Sequence, residues 1–316
     1  MPNPVETRSQ RFDPEVLSEL QSRVDRLSGS FDFTKLRDRG STIADIKRYY
    51  EDSRLGYWFA HSKEGAMHMA LNPNGTFDRE GYEGQVNLVE ERLGVAKDVL
   101  ELACGNGFNL ALLAKRHPGR RFVGIDLVGS QVDRGNKLLA SRENAQLEVG
   151  DFQALRFEDD SQDLIFVIES FCHATDLESA FSEQHRVLRE GGSFVVIDAW
   201  RTERFREAPE FVQQAAGNVE HAMAVAKSLL LDEWVAKAEQ HGFRVTENLD
   251  LSEQIKPNLA RLARGVEKYL AHERLAAAAR LVLPNTLIEN AIAGYLMPLT
   301  VELGVHSYRL LHLERV

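Results

Sequence analysis

Glu101, Gly105 and Gly107 stand close together in the segment VLELACGNGFNLALLAK, and Asp126 closes the next apolar run, RFVGID. A glycine pair directly after an apolar run lets the backbone turn sharply and lets a ligand approach it, while the helix that starts beyond aims unpaired amide hydrogens at that ligand. A carboxylate about twenty residues further on, at the end of a second strand, is placed to accept both hydroxyls of a ribose. Together these residues predict a nucleoside site. A dinucleotide fingerprint would need glycine at position 110, where Leu110 stands, so a nicotinamide cofactor is disfavoured. Glu101 lies inside an apolar run, where an unpaired carboxylate is costly, and is therefore read as facing a ligand.

A second group of reactive side chains follows the run DLIFVIES. Glu169 lies at its end, and His173 falls in the loop beyond, at the carboxyl end of a strand, where open α/β sheets bind ligands. An imidazole there can take a proton from an acceptor. His68 and Glu64 are further candidates of the same kind.

The elements that must position these groups are regular from Val86 onward. A helix through Leu93 precedes DVLELA, a helix from Leu110 to Lys115 follows the glycine turn, and RFVGID, QLEVGD, DLIFVIES and SFVVIDAW come in turn. Continuous apolar runs alternating with helices predict a doubly wound α/β core around a parallel sheet. Residues 1–85 read as an N-terminal helical cap, with a helix over Pro14 to Leu27 and an aromatic-rich stretch from Ile46 to Met69; Pro14 suits a first helical turn. Residues 86–250 form the core, including helices over Phe205 to Leu231, LDEWVAKAEQHGF with Gly242 as a stop, and the strand FRVTENLDL. Residues 251–316 supply covering helices to about 300 and a last strand, HSYRLLHLERV.

With 316 residues, 43% of them hydrophobic, the chain can bury a large core. A net charge of -10 opposes binding to phosphate backbones, which depends on clustered Lys and Arg, so a nucleic-acid partner is excluded. Cys104 and Cys172 have no metal-site or disulfide spacing and fit a reducing cytoplasm. Neither a secretory signal nor a membrane-spanning apolar run is expected, and a homo-oligomer is compatible with the sequence.

The motifs ELACGNG, GID, GDF, DLIFVIES and LREGGSFVVID, in this order between about residues 98 and 200, resemble those of class I S-adenosylmethionine-dependent methyltransferases. The resemblance implies a Rossmann-like, mostly parallel seven-stranded sheet and S-adenosylmethionine as cofactor, with no resident metal. It places Glu101, Ala103, Gly105 and Gly107 around the methionine part, with Cys104 filling a small space beside them. Asp126 and Leu127 would hold the ribose and flank the adenine, Asp151 would receive the adenine amino group beside Phe152, Gln131 is a further contact, and Glu169 would close the pocket.

The run IKRYYEDSRLGYWFAHSKEGAMHMAL, with FVIESFCHATD, is similar to a narrower group of sterol, tocopherol and isoprenoid-diphosphate methyltransferases, and DLSEQIKPNLARL and AIAGYLMPLTVELG resemble the substrate-covering helices of tocopherol and quinone members. This implies methyl transfer by in-line displacement to a small lipophilic acceptor, isoprenoid, phenolic or sterol-like, with Tyr50, His173 and Glu169 as catalytic candidates. Tyr50 would lend an aromatic face to the sulfonium; alternatively Tyr49, Tyr50, Tyr57 and Trp58 only dock the cap. Two other readings stand beside it. An isoprenoid diphosphate acceptor would call for a divalent metal and for convergence of Arg201, Arg204 and Arg206; a noncatalytic regulatory protein would keep the cofactor site without turnover.

Overall fold

The computed structural model of the chain describes residues 11–38, 42–60, 62–225, 228–272 and 282–316. Residues 1–10 and the side chains at 54, 55 and 57–60 fall outside it, so the docking role expected of Tyr57 and Trp58 lies outside the described residues.

Helix α1 (Pro14–Ser28) starts where its sequence dictates. Asp13 accepts from the Glu15 amide and Pro14 occupies the first turn, where no amide hydrogen is required. Helices α2 (Phe33–Arg37) and α3 (Ile43–Ala60) follow. The aromatic-rich stretch does not remain helical to Met69: α3 ends at Ala60, and an irregular segment carries Met67, His68 and Met69 to the sheet, where the Met69 amide donates to Glu169. A 3-10 turn (Arg79–Glu83) leads into α4 (Gly84–Glu90).

The core then alternates through β1 (Asp98–Leu102), α5 (Phe108–Arg116), β2 (Arg121–Asp126), α6 (Gly129–Leu139), β3 (Ala145–Val149), β4 (Gln162–Ile168), α7 (Leu177–Val187) and β5 (Leu188–Arg201). Beyond it lie α8 (Arg204–Glu207), α9 (Glu210–Ala222), α10 (Leu231–Gln240), β6 (Phe243–Asp250), α11 (Ser252–Ala271), α12 (Asn285–Glu302) and β7 (His306–Arg315). The helices expected over Phe205 to Leu231 form as separate pieces. Pro209 begins a new helix, α9, and Leu229 and Leu230 run extended beside Arg201. Gly242, with φ 79°, stops α10 as its position in the sequence predicts. Residues 273–281 of the C-terminal helical stretch lie outside the described residues.

Seven strands form one sheet in the order β3-β2-β1-β4-β5-β7-β6. Pairings from β3 to β5 are parallel, and β7 enters antiparallel between β5 and β6, so residues 251–316 complete the sheet as well as covering it. β4 is an almost unbroken buried run because helices cover both faces. Val99, Phe166, Val195 and Ile197 pack towards α9, α11 and α12, while Leu100, Ile165, Val167 and Val196 pack towards Phe181 of α7 and Trp234 of α10.

From β1 the chain proceeds to β2 and β3 on one side and returns to β4 on the other. The switch point therefore lies between β1 and β4, whose carboxyl ends part to form a crevice. Two residues other than glycine adopt left-handed backbone there: Ala103 (φ 48°) just after β1 and Glu169 (φ 50°) just after β4. Such backbone costs about 1–3 kcal/mol per residue and persists only where its surroundings hold it.

Candidate functional site

The turn after β1 is built on Gly105 (φ 56°) and Gly107 (φ 76°). Gly107 favours glycine because its backbone is left-handed, and a Cβ there would also press on the tip of Leu147, with Cδ1 at 2.9 Å. Asp126, at the end of β2, fastens the turn: one carboxylate oxygen accepts from the Gly105 amide and the other from the Val128 amide, each at 2.8 Å. Burial pushes its pKa up, against the pull of those two amides. Each oxygen keeps a further acceptor position, and Asp126 lines the crevice.

Glu101 comes up from β1 and is 2% exposed. Its Oε1 accepts from Asn109 Nδ2 at 2.9 Å, and its buried Oε2 has no hydrogen-bond partner. Burial pushes the carboxyl up to about 8, with the Asn109 hydrogen bond opposing. A buried oxygen left unpaired beside a crevice implies a ligand that donates hydrogen bonds or carries positive charge.

On the β4 side, Glu169 Oε1 accepts from the Met69 amide and from the Tyr308 hydroxyl, both at 2.7 Å. Burial raises this carboxyl to about 7. The Tyr50 hydroxyl and His173 Nε2 share a hydrogen bond of 2.9 Å with the rings edge-on, and burial lowers the imidazole to about 4. Tyr50, Met67, Glu169 and His173 border both the crevice and a second cavity, which runs on past Asp198, Met223, Met297 and Tyr308. Met69 and Leu259, Leu262, Val266 and Tyr269 of α11 extend that space into an apolar cavity.

Residues 100–196 match the family described as a methyltransferase domain. Over 158 residues the chain is 32% identical to 24-methylenesterol C-methyltransferase 2 of Oryza sativa subsp. japonica, a match covering 49% of this chain and 43% of that protein. Residues 100–196 thus carry a methyltransferase domain. It is also 28% identical over 229 residues to an S-adenosyl-L-methionine-dependent Diels-Alderase of Talaromyces variabilis, covering 67% of this chain and 77% of the relative. The fold of geranyl diphosphate C-methyltransferase from Streptomyces coelicolor, solved with Mg2+, geranyl diphosphate and S-adenosyl-L-homocysteine, superposes with TM-score 0.64 over 86% of this chain and 97% of that one, at 20% identity. The chain thus spans less than half the length of the rice sterol enzyme it matches.

In this methyltransferase domain most of the residues singled out from sequence meet in one crevice: Tyr50, Glu101, Ala103, Cys104, Gly105, Asp126, Leu127, Gln131, Phe152, Glu169 and His173. Two do not line it. Gly107 shapes the turn from behind, and Asp151 caps its own turn by accepting from the Gln153 amide at 2.9 Å, leaving Gly150 and Gln153 at the crevice wall. Glu64 is exposed and paired with Arg79 at 3.0 Å, away from the crevice. The three arginines go to separate partners: Arg201 grips Glu220, Arg204 stacks on Phe12, and Arg206 pairs with Glu203 and Glu233. They form no common anion site. Among the described residues no group of three or more His, Cys, Asp or Glu could hold a metal ion, and no helix is long and apolar enough to cross a membrane.

Sequence reasoning missed Lys47, Met67, Asn106 and Asn109, and undervalued His68. Asn109 had a signal. It shares the buried face of α5 with Leu110 and Leu113, and a polar residue placed there by helical periodicity calls for a partner. The irregular segment holding Met67 and His68 has no period to read.

Proposed function

We propose that this chain transfers a methyl group from S-adenosylmethionine to a small lipophilic acceptor, isoprenoid, phenolic or sterol-like in character. The observation that carries this reading is continuity: the crevice holding Glu101 and Asp126 meets a methionine-lined cavity at Tyr50, Glu169 and His173. The crevice suits the cofactor, because Glu101 offers an unpaired buried oxygen for its charged methionyl end and Asp126 keeps acceptor positions for ribose hydroxyls. Leu127 and Phe152 supply apolar surface for the adenine. When bound, S-adenosylmethionine supplies an electrophilic methyl group for in-line displacement.

The chain's own residues then mainly position the acceptor and exclude water, effects worth on the order of 7–11 kcal/mol. Met67, Met69, Met223 and Met297 give the cavity an adaptable apolar lining. Tyr50 presents its ring at the junction, held there by His173, which is neutral at pH 7 because burial lowers it to about 4. Glu169, raised to about 7, is better matched than His173 to take the proton the acceptor sheds.

Incubating the protein with methyl-deuterated S-adenosylmethionine and a lipid extract tests the reading by mass spectrometry. A product bearing the labelled methyl is expected. Cofactor binding without label transfer to any product would refute it; ring closure of a substrate without label would instead align the chain with its Talaromyces relative.

A further inference from the structure

Along the crevice wall runs a chain of buried polar groups of which the proposed chemistry uses only Glu101. Glu101 Oε1 faces Asn109 Nδ2 at 2.9 Å, Asn109 Oδ1 faces His68 Nε2 at 3.0 Å, and His68 Nδ1 faces the Met69 carbonyl at 3.0 Å. His68 and Asn109 are 4% and 6% exposed. The pairing rules of these atoms fix the number of protons. A carbonyl only accepts, so His68 Nδ1 must carry hydrogen. With the Asn109 oxygen towards His68, Nε2 must carry hydrogen too, which makes an imidazolium, and Glu101 is a carboxylate receiving the amide hydrogen. With the Asn109 amide turned by half a rotation, its nitrogen donates to a neutral His68, and its oxygen needs a hydrogen from a neutral Glu101. Each arrangement satisfies every bond, and each contains one titrating proton.

We infer that Glu101 and His68 share a single proton through Asn109, and that a cation bound against Glu101 moves it onto His68. In that transfer the Glu101 O–H bond breaks, the His68 Nε2–H bond forms, the Asn109 amide turns, and no proton leaves the protein. Burial alone favours the uncharged arrangement, raising Glu101 and lowering His68. The surroundings add to this on the Glu101 side: Asp126 and Cys104 face it from β2 and the glycine turn, and negative charge on Asp126 keeps the neighbouring acid protonated. Around His68 stand the rings of Tyr82 and Phe108, and Glu169 lies beyond the Met69 peptide. No positive side chain among these pairs with Glu101, so the cofactor's own charge is what tips the balance. His68 is then a positioning residue: it stores the proton that would otherwise have to be expelled for Glu101 to become the anion that the cofactor needs. The inference rests on the cofactor reading above.

Calorimetric titration of the protein with S-adenosylmethionine at pH 7, in buffers of differing ionisation enthalpy, counts the protons exchanged. The unaltered protein should exchange close to none. His68→Gln keeps the amide-compatible hydrogen bonds but cannot store the proton, so binding should release about one proton and weaken about tenfold or more. Should that variant not fold, ring 15N shifts of His68 in the unaltered protein read the same event: two well-separated resonances of a neutral ring should converge to those of an imidazolium as cofactor is added. Release of about one proton by the unaltered protein, or a His68 ring whose shifts do not move while cofactor binds, overturns the relay and leaves the cofactor reading intact. No binding at all overturns both.

Discussion

Replacing Glu101 by Gln should strengthen the folded protein at alkaline pH while weakening its hold on the cofactor. The folded carboxyl sits at about 8 against an ordinary value of 4.5, so between these values the native state holds a proton that the unfolded chain has lost. Stability contributed by this site therefore falls as pH rises, which is the opposite of an ion-paired acid. At pH 8 the displacement corresponds to on the order of 4 kcal/mol of penalty. Gln removes that penalty, yet it sets an amide nitrogen where Oε2 has no partner, at about 1–3 kcal/mol. The net gain at pH 8 is about 1–3 kcal/mol, a rise of a few degrees in Tm. At pH 5 most of the linkage term is gone, because that pH lies close to the ordinary value of 4.5, and the unpaired amide outweighs or matches what is left; Glu101→Gln should then be neutral or destabilising. Thermal melts of both proteins from pH 5 to pH 8 read the difference directly. A difference in Tm that does not change with pH would show that Glu101 is not a buried acid and would remove the argument that its vacant oxygen awaits a cation.

Asp126→Asn should cut cofactor affinity by about 1.5–3 kcal/mol, since it loses a charge-assisted acceptor and turns a donor towards one of the Gly105 and Val128 amides; calorimetry with unchanged affinity would refute the ribose assignment. Methyl transfer by the unaltered protein should rise with pH about a midpoint near the Glu169 value of about 7, and Glu169→Gln should lower turnover about 10²–10⁴-fold and flatten that profile. His173→Ala should reduce turnover more than it reduces cofactor affinity, because its Nε2 holds the Tyr50 hydroxyl at the junction while Glu101 and Asp126 still hold the cofactor; parental turnover would mark the pair as structural. Gly107→Ala should destabilise the protein by about 1–3 kcal/mol in chemical denaturation, as the new methyl must fit beside Leu147 in a left-handed turn.

The sheet was legible because its strands are buried on both faces. DLIFVIES and SFVVIDAW are continuous apolar runs, and no other environment tolerates them so well. Asp126 and the glycine turn were legible for a related reason: a fixed strand-turn-helix spacing leaves few places for such residues. What the sequence hid is tertiary. Nothing local reveals that Asp151 turns back onto Gln153 rather than facing the crevice; the break at Pro209, by contrast, has a local cause, since a proline cannot continue the helix before it. The order β7 between β5 and β6 depends on strands far apart in the chain, so HSYRLLHLERV reads as a strand without disclosing its neighbours.

The least legible segment is also the one that joins the two halves of the site. Met67 borders both cavities, and Met69 is tied through its amide to Glu169 and through its carbonyl to His68 and Gln85. Gln85 in turn reaches the Tyr308 hydroxyl, which donates to Glu169. A segment with no helix or strand of its own is thus held by buried hydrogen bonds to Glu169 just after β4, to Gln85 of α4, to Asn109 of α5 and to Asn258 of α11, and it holds them in return. Ala103 and Glu169 keep their left-handed backbone at this same place, where the Glu169 amide donates to Ile197 at 2.7 Å and its carboxylate is fixed by Met69 and Tyr308. Strain of this size at the mouths of two neighbouring strands survives because those bonds outweigh it, and its effect is to turn the Glu169 carboxyl out of the sheet and into the junction between the crevice and the cavity.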